Sequence, residues 1–64
     1  MRLTLWMAKL GQLVEAEQPI AEIVAGEVLI ELPSPATGIF EERLVEVDEP
    51  VEPGQVIARL DTEP

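Results

Sequence analysis

The sequence contains no cysteine and no histidine. Without cysteine there is no disulfide to brace a small domain and no thiolate to hold a metal. Without histidine, the side chain that most often serves as general base or metal ligand is missing. Carboxylates remain, yet the composition argues against an enzyme and against a structural zinc site. Basic residues are scarce: four, against thirteen acidic ones, for a formal charge of −9. A basic footprint for nucleic acid is therefore lacking, and an anionic membrane would repel this surface. No apolar run approaches the roughly 20 residues that cross a bilayer. The opening Met1–Ala8 imitates a signal peptide, with one basic residue and a short apolar run, but cleavage there would leave too little chain to fold. A cytoplasmic location is expected.

At 64 residues the chain makes one domain, and a domain this size buries only about 60% of its unfolded surface. The acid excess keeps such a domain soluble. Its sharper alternative is an acidic docking face for a basic protein partner. Gly11, Pro19, Gly26, Pro33-Ser34-Pro35, Gly38, Pro50 and Pro53-Gly54 cut the chain into short pieces rich in Val, Ile and Leu. Short apolar pieces between breakers read as strands of a sandwich or barrel. The clearest is Val28–Leu32, with Val28, Ile30 and Leu32 on one face and Leu29 and Glu31 on the other. Ile39–Val47 reads as a longer strand, flanked by Gly38 and Pro50. Glu22–Glu31 reads as a hairpin with Ala25-Gly26 as its tight turn. Trp6 suits a core or half-buried strand position. Glu15, Glu17 and Glu22 lack the Asp-rich loop of a calcium site, and Glu41-Glu42 lacks an acid/base partner.

A repeat is visible at an offset of 37 residues. Val14-Glu15-Ala16-Glu17-Gln18-Pro19-Ile20-Ala21-Glu22-Ile23 matches Val51-Glu52-Pro53-Gly54-Gln55-Val56-Ile57-Ala58-Arg59-Leu60, with Val, Glu, Gln, Ile and Ala identical in register. Two copies are too few for a solenoid. They predict two similar halves related by a pseudo-twofold axis.

In order along the chain stand Gly11-Gln12-Leu13-Val14, Gln18-Pro19-Ile20-Ala21-Glu22-Ile23, the hairpin, Pro35-Ala36-Thr37-Gly38, Asp48-Glu49-Pro50-Val51 and Gly54-Gln55-Val56-Ile57-Ala58. This succession resembles the lipoyl/biotinyl attachment domains from about Trp6 to Leu60. It is more similar to lipoyl domains of the acyltransferase components of 2-oxo acid dehydrogenase complexes, through Glu31–Gly38. The biotinyl Ala-Met-Lys-Met tetrad has no counterpart. The resemblance implies an all-β fold: a flattened sandwich of two small antiparallel sheets with quasi-twofold symmetry, a barrel-sandwich hybrid. An unrelated β domain, such as an SH3-like barrel, would lack the twofold relation.

The family carries its cofactor on a lysine in an Asp-Lys hairpin tip. The matching positions here are Gly26 and Glu27, and a carboxylate cannot be acylated by the lipoylation machinery. The only lysine, Lys9, lies outside the hairpin and reads as a solvent-facing strand residue. The implied protein carries no cofactor and acts as an interaction or structural module. The rival reading is a true carrier domain modified elsewhere. The family's usual first strand also has no counterpart before Arg2, so the chain is expected to be a fragment or a trimmed form. That leaves Gln55–Leu60 at a sheet edge, open to a homodimer or to a partner's strand, with Asp61, Glu63 and Pro64 blunting it.

Overall fold

In a computed structural model, which describes residues 1–62, the chain forms six strands and no helix. They are β1 (Arg2–Trp6), β2 (Leu13–Val14), β3 (Pro19–Ala25), β4 (Val28–Pro33), β5 (Gly38–Arg43) and β6 (Ala58–Asp61). Two three-stranded antiparallel sheets result, in the orders β1-β3-β4 and β2-β5-β6. They do not close into a barrel, and the architecture is the flattened sandwich expected. A sandwich of short strands suits this sequence because its apolar residues alternate. Leu3, Ile23 and Ala21 are buried on the inner face of one sheet, and Phe40 on that of the other, whereas Glu22, Glu31 and Glu42 stand between them and keep contact with solvent.

The pseudo-twofold relation is written in the hydrogen bonds. The Gly11 amide donates to Phe40 and the Phe40 amide to Gln12, each at 2.8 Å. Thirty-seven residues away, the Asp48 amide donates to Leu3 at 2.7 Å and the Leu3 amide to Glu49 at 3.1 Å. Met7 to Ile20 is answered by Leu44 to Ile57, both at 2.8 Å. The register repeats as well: Leu3↔Ile23 and Leu5↔Glu22 correspond to Phe40↔Leu60 and Glu42↔Arg59, with the same one-residue bulge between them. Leu3 and Phe40, mates in this relation, are both fully buried. The relation thus extends well beyond the ten positions at which the sequence shows it.

Four turns share one design. At Lys9–Gln12, Glu15–Gln18, Glu46–Glu49 and Glu52–Gln55 the fourth residue's amide returns to the first carbonyl, at 3.0 to 3.1 Å. In each, the fourth side chain also accepts from the first amide, at 2.6 to 3.0 Å. The third residue has positive φ in all four: Gly11, Glu17, Asp48 and Gly54. Pro53-Gly54 supplies the residues that a type II turn favours. Glu17 and Asp48 adopt the same conformation at a cost of order 1 kcal/mol each.

Three boundaries differ from the sequence reading. The strand expected over Ile39–Val47 ends at Arg43, because Val45 turns into the core and the chain enters the Glu46–Glu49 turn. The strand expected over Gln55–Leu60 is Ala58–Asp61, since Gln55 closes the preceding turn and Val56 stands out in solvent. Asp61 therefore belongs to the strand, while Glu63 and Pro64 lie outside the described residues. Lys9 is exposed as expected, but in the turn after β1 rather than in a strand.

Gly38 is fixed by a close approach. A Cβ built there would lie 2.6 Å from the Asp61 carbonyl oxygen, part of the backbone of the paired strand. Gly38→Ala should force β5 and β6 apart at that end, at a cost of about 1–3 kcal/mol. Thermal unfolding should show a transition lower by roughly 5–15 °C. An unchanged midpoint would mean that the sheet relaxes freely there.

Candidate functional site

The hairpin of β3 and β4 projects a tight two-residue loop. Ala25 pairs with Val28, so the tip is Gly26-Glu27, one residue later than the Ala25-Gly26 turn expected from sequence. Gly26 has φ +63 and Glu27 a negative φ. Those are the signs of a type II′ turn, whose twist suits two antiparallel strands and which takes glycine first. Gly26 and Glu27 are both exposed.

Beneath the tip the hairpin is anchored on its outer face. Thr4 donates from its hydroxyl to the Glu22 carboxylate at 2.9 Å and to the Glu22 carbonyl at 3.1 Å. Glu22 pairs with Glu31 across the hairpin. A shallow depression beside the tip is walled by Arg2, Val24, Gly26, Asp48 and Pro50. Across it Arg2 approaches Asp48 at 3.7 Å, both largely exposed, a contact worth little in water. Next to the tip, Val28 and Leu29 are 59% and 62% exposed. Sequence reading missed this apolar shoulder, although the unbroken Val28-Leu29-Ile30 run was its signal.

The tip has no group able to form a covalent bond by nucleophilic attack as an amine would. Its reactive atoms are the carboxylate oxygens of Glu27. Two hydroxyls elsewhere are committed to structure: buried Ser34 donates to the Ala36 carbonyl at 2.6 Å, and Thr37 accepts from the Ala16 amide at 3.0 Å. The Ala16–Thr37 bond, with backbone bonds from the Glu17 amide to the Ser34 carbonyl at 2.7 Å and from the Ser34 amide to the Gln18 carbonyl at 2.8 Å, holds the Ser34–Gly38 segment against the Glu15–Gln18 turn. Trp6 is half-buried as expected, its indole donating to the Val45 carbonyl at 3.0 Å and its ring tilted against Phe40 at 5.5 Å. Glu15, Glu17, Glu22, Glu41 and Glu42 are exposed or half-buried. Among the described residues no three acidic side chains converge as a metal site would require.

A two-sheet sandwich with internal twofold symmetry and a protruding β-turn defines the class of small carrier-type domains. Residues 1–60 match the biotin/lipoyl family model, described as "Biotin-requiring enzyme", and the chain belongs to that family. Such a domain is a carrier module and not itself catalytic. The chain is 38% identical, over 91% of its length, to the dihydrolipoyllysine-residue acetyltransferase component of the pyruvate dehydrogenase complex of Corynebacterium glutamicum. It is 34% identical, over 88% of its length, to the component of the same name in Staphylococcus aureus and in Staphylococcus epidermidis. It spans 9% of the first of these proteins and 13% of the other two. The relation to the lipoyl-bearing acyltransferase components is therefore established for the domain.

Proposed function

We propose that this chain is a lipoyl-type domain whose hairpin tip carries no prosthetic group and which acts as a protein-interaction module. The observation that carries the reading is the pairing of Ala25 with Val28, which leaves Gly26 and Glu27 as the two tip residues. In the family's Asp-Lys tip the second of these positions bears the attachment amine. Here it bears a carboxylate, which has no nucleophilic nitrogen to acylate and has the opposite charge. Lys9 offers no substitute: it sits in a turn locked by Gln12, and its twofold mate is Glu46 in the corresponding turn. The domain is proposed to span residues 1–64 and to work in the cytoplasm. Its partner on this reading is a protein with a basic face, or a second copy of the chain. Every described carboxylate is exposed or half-buried, which supports an acidic contact surface. The exposed Val28 and Leu29 beside the tip add an apolar element to it.

The family relation supports the rival reading, a working carrier of an acyl- or carboxyl-transfer complex. Intact mass decides between them. Purified from a host with active lipoyl and biotin ligases, the protein should show its unmodified mass in full. A lipoyl or biotinyl adduct on any residue would overturn the interaction-module reading in favour of the carrier.

A further inference from the structure

We propose that the outer face of the β3–β4 hairpin docks a segment of a partner protein that presents one guanidinium between two apolar side chains. The inference rests on the reading of the domain as an interaction module, and it gives that module's acidic surface a place and its partner a chemistry.

The face is built by register. Three cross-strand pairs follow one another on it: Val24–Leu29, Glu22–Glu31 and Pro19–Pro33. Ile23 and Ala21, between them in β3, turn to the core and are buried, so parity puts the three pairs on the opposite side. Successive rows lie about 6–7 Å apart along the strands. The acid pair therefore stands between an aliphatic row and a proline row. Leu29 is 62% exposed, Glu31, Pro19 and Pro33 are exposed, and Glu22 and Val24 are half-buried. On the other side of Glu22, in β1, comes Leu5, 47% exposed.

The charge on this face is unbalanced. A two-residue loop makes Ala25–Val28 a hydrogen-bonded pair. Pair types alternate from there, so Glu22–Glu31 is a non-hydrogen-bonded pair, the kind whose side chains stand closer. Like charges directly opposite each other are destabilising. Thr4 gives Glu22 a hydroxyl bond at 2.9 Å but no charge. Arg2, opposite Val24, turns to Asp48 at 3.7 Å. Among the described residues no lysine or arginine pairs with Glu22 or Glu31. The twofold mate of Glu22 shows the balanced arrangement. It is Arg59, opposite Glu42 in the other sheet, which takes Glu42 at 2.9 Å and Glu41 at 3.4 Å. One half of the molecule supplies its own counter-charges, and the other leaves two carboxylates for a partner.

The occupant follows from the spacing. The Cβ atoms of a directly opposed pair are about 4.5–5.5 Å apart, and the planar fork of a guanidinium donates to both carboxylates at once. An ammonium is a point charge, more strongly hydrated, and spans them less well. Apolar side chains two residues to either side of the arginine, in an extended segment, land on Val24 and Leu29 at one end and on Pro19 and Pro33 at the other. A second copy of the chain is a poorer occupant, since each copy carries a formal charge of −9 and Arg59 is already held by its own acids.

The test titrates the whole, isotope-labelled protein with the blocked peptide Ser-Leu-Thr-Arg-Thr-Leu-Ser at about 20 mM ionic strength, where exposed charges are weakly screened. The amide signals of Glu22, Val24, Leu29 and Glu31 should shift, and those of Glu41, Glu42 and Arg59 should stay. Glu22→Gln with Glu31→Gln should weaken binding roughly three- to tenfold. Glutamine keeps the acceptor that Thr4 uses, and with the repulsion gone this variant should unfold at a higher temperature than the parent. Glu15→Gln with Glu52→Gln, exposed in two of the turns, removes the same charge and should change affinity by less than about twofold. Leu29→Ser should weaken binding roughly two- to fivefold. Unshifted amides on this face at millimolar peptide would overturn the proposal. Equal losses in the two double variants would overturn it too, by reducing the effect to net charge. So would the same amides shifting with protein concentration alone, which would give the face to a second copy. A Glu22→Gln/Glu31→Gln protein no more stable than the parent would remove the repulsion on which the site stands. Intact mass of the same preparation keeps the two readings apart. An unmodified protein that does not bind overturns the docking face alone, and a lipoyl or biotinyl adduct overturns the interaction-module reading however the peptide behaves.

Discussion

A protein carrying Gly26→Asp and Glu27→Lys should be lipoylated in most molecules when co-produced with an active lipoyl ligase. The scaffold under the tip is in place: β3 and β4 pair in register from Ala21 to Val28, and the two loop residues are solvent-exposed. Aspartate at position 26 must adopt the φ of +63 held by Gly26. Asp is among the residues that tolerate this region best, and Asp48 already sits at φ 74 in this fold. No atom lies within 4 Å of a Cβ at position 26, so the cost is about 1–2 kcal/mol of backbone preference without a clash. Lysine at 27 replaces an exposed side chain at the turn and gives a ligase an amine at the apex. Intact mass measures the conversion, and the single variant Glu27→Lys separates the need for the amine from the need for its neighbour. A double variant that folds and remains unmodified would show that the ligase reads surface beyond the turn.

Phe40→Ala should leave the protein largely unfolded at 25 °C. Phe40 is fully buried, lies against Trp6 at 5.5 Å, and is the largest side chain wholly inside. Removing such a ring costs about 3–5 kcal/mol. A 64-residue domain has roughly 3–10 kcal/mol in total, at about 0.05–0.15 kcal/mol per residue. The two quantities are comparable, so the variant falls at or beyond the edge of folding. Trp6 reports the outcome directly as the sole tryptophan: its emission should shift to that of an indole in water. Val56→Ala, at a residue 67% exposed, should change stability by no more than about 0.5 kcal/mol. A Phe40→Ala protein with native emission and a melting point within a few degrees of the parent would mean that the core lies elsewhere.

The strands that alternate cleanly were legible in the sequence. Val28–Leu32 has its inner and outer residues where their parity places them, since Ile30 pairs with Ile23 and Glu31 with Glu22. The twofold relation was legible over Val14–Ile23 because Gln18 and Gln55 are identical and do the same work in their turns. It was hidden elsewhere because conformation is conserved between halves while residue type is not. Glu17 and Gly54 share a positive φ, and Gln12 and Glu49 accept the same bond, yet neither pair matches by letter. Leu44–Val47 continues an apolar pattern and so reads as strand. What ends β5 is Val45 turning inward, a tertiary demand that local periodicity does not express. The tip was placed one residue early because Ala-Gly and Gly-Glu are both plausible turns, and only the cross-strand register chooses between them.

The reciprocal bonds between halves have a kinetic meaning. Gly11 closes its turn onto Phe40, and Asp48 closes its own onto Leu3, so each half finishes its loops on a strand belonging to the other. An isolated half would leave these amides unpaired and its central apolar side chain, Leu3 or Phe40, without an opposing layer. Neither half is an autonomous folding unit. The chain must bring together residues 29 positions apart (Gly11 and Phe40) and 45 apart (Leu3 and Asp48) before either turn system is rewarded, and the entropy of closing those loops is lost first. Folding of this small protein is therefore a single cooperative event with a late barrier, slower than its length alone would suggest.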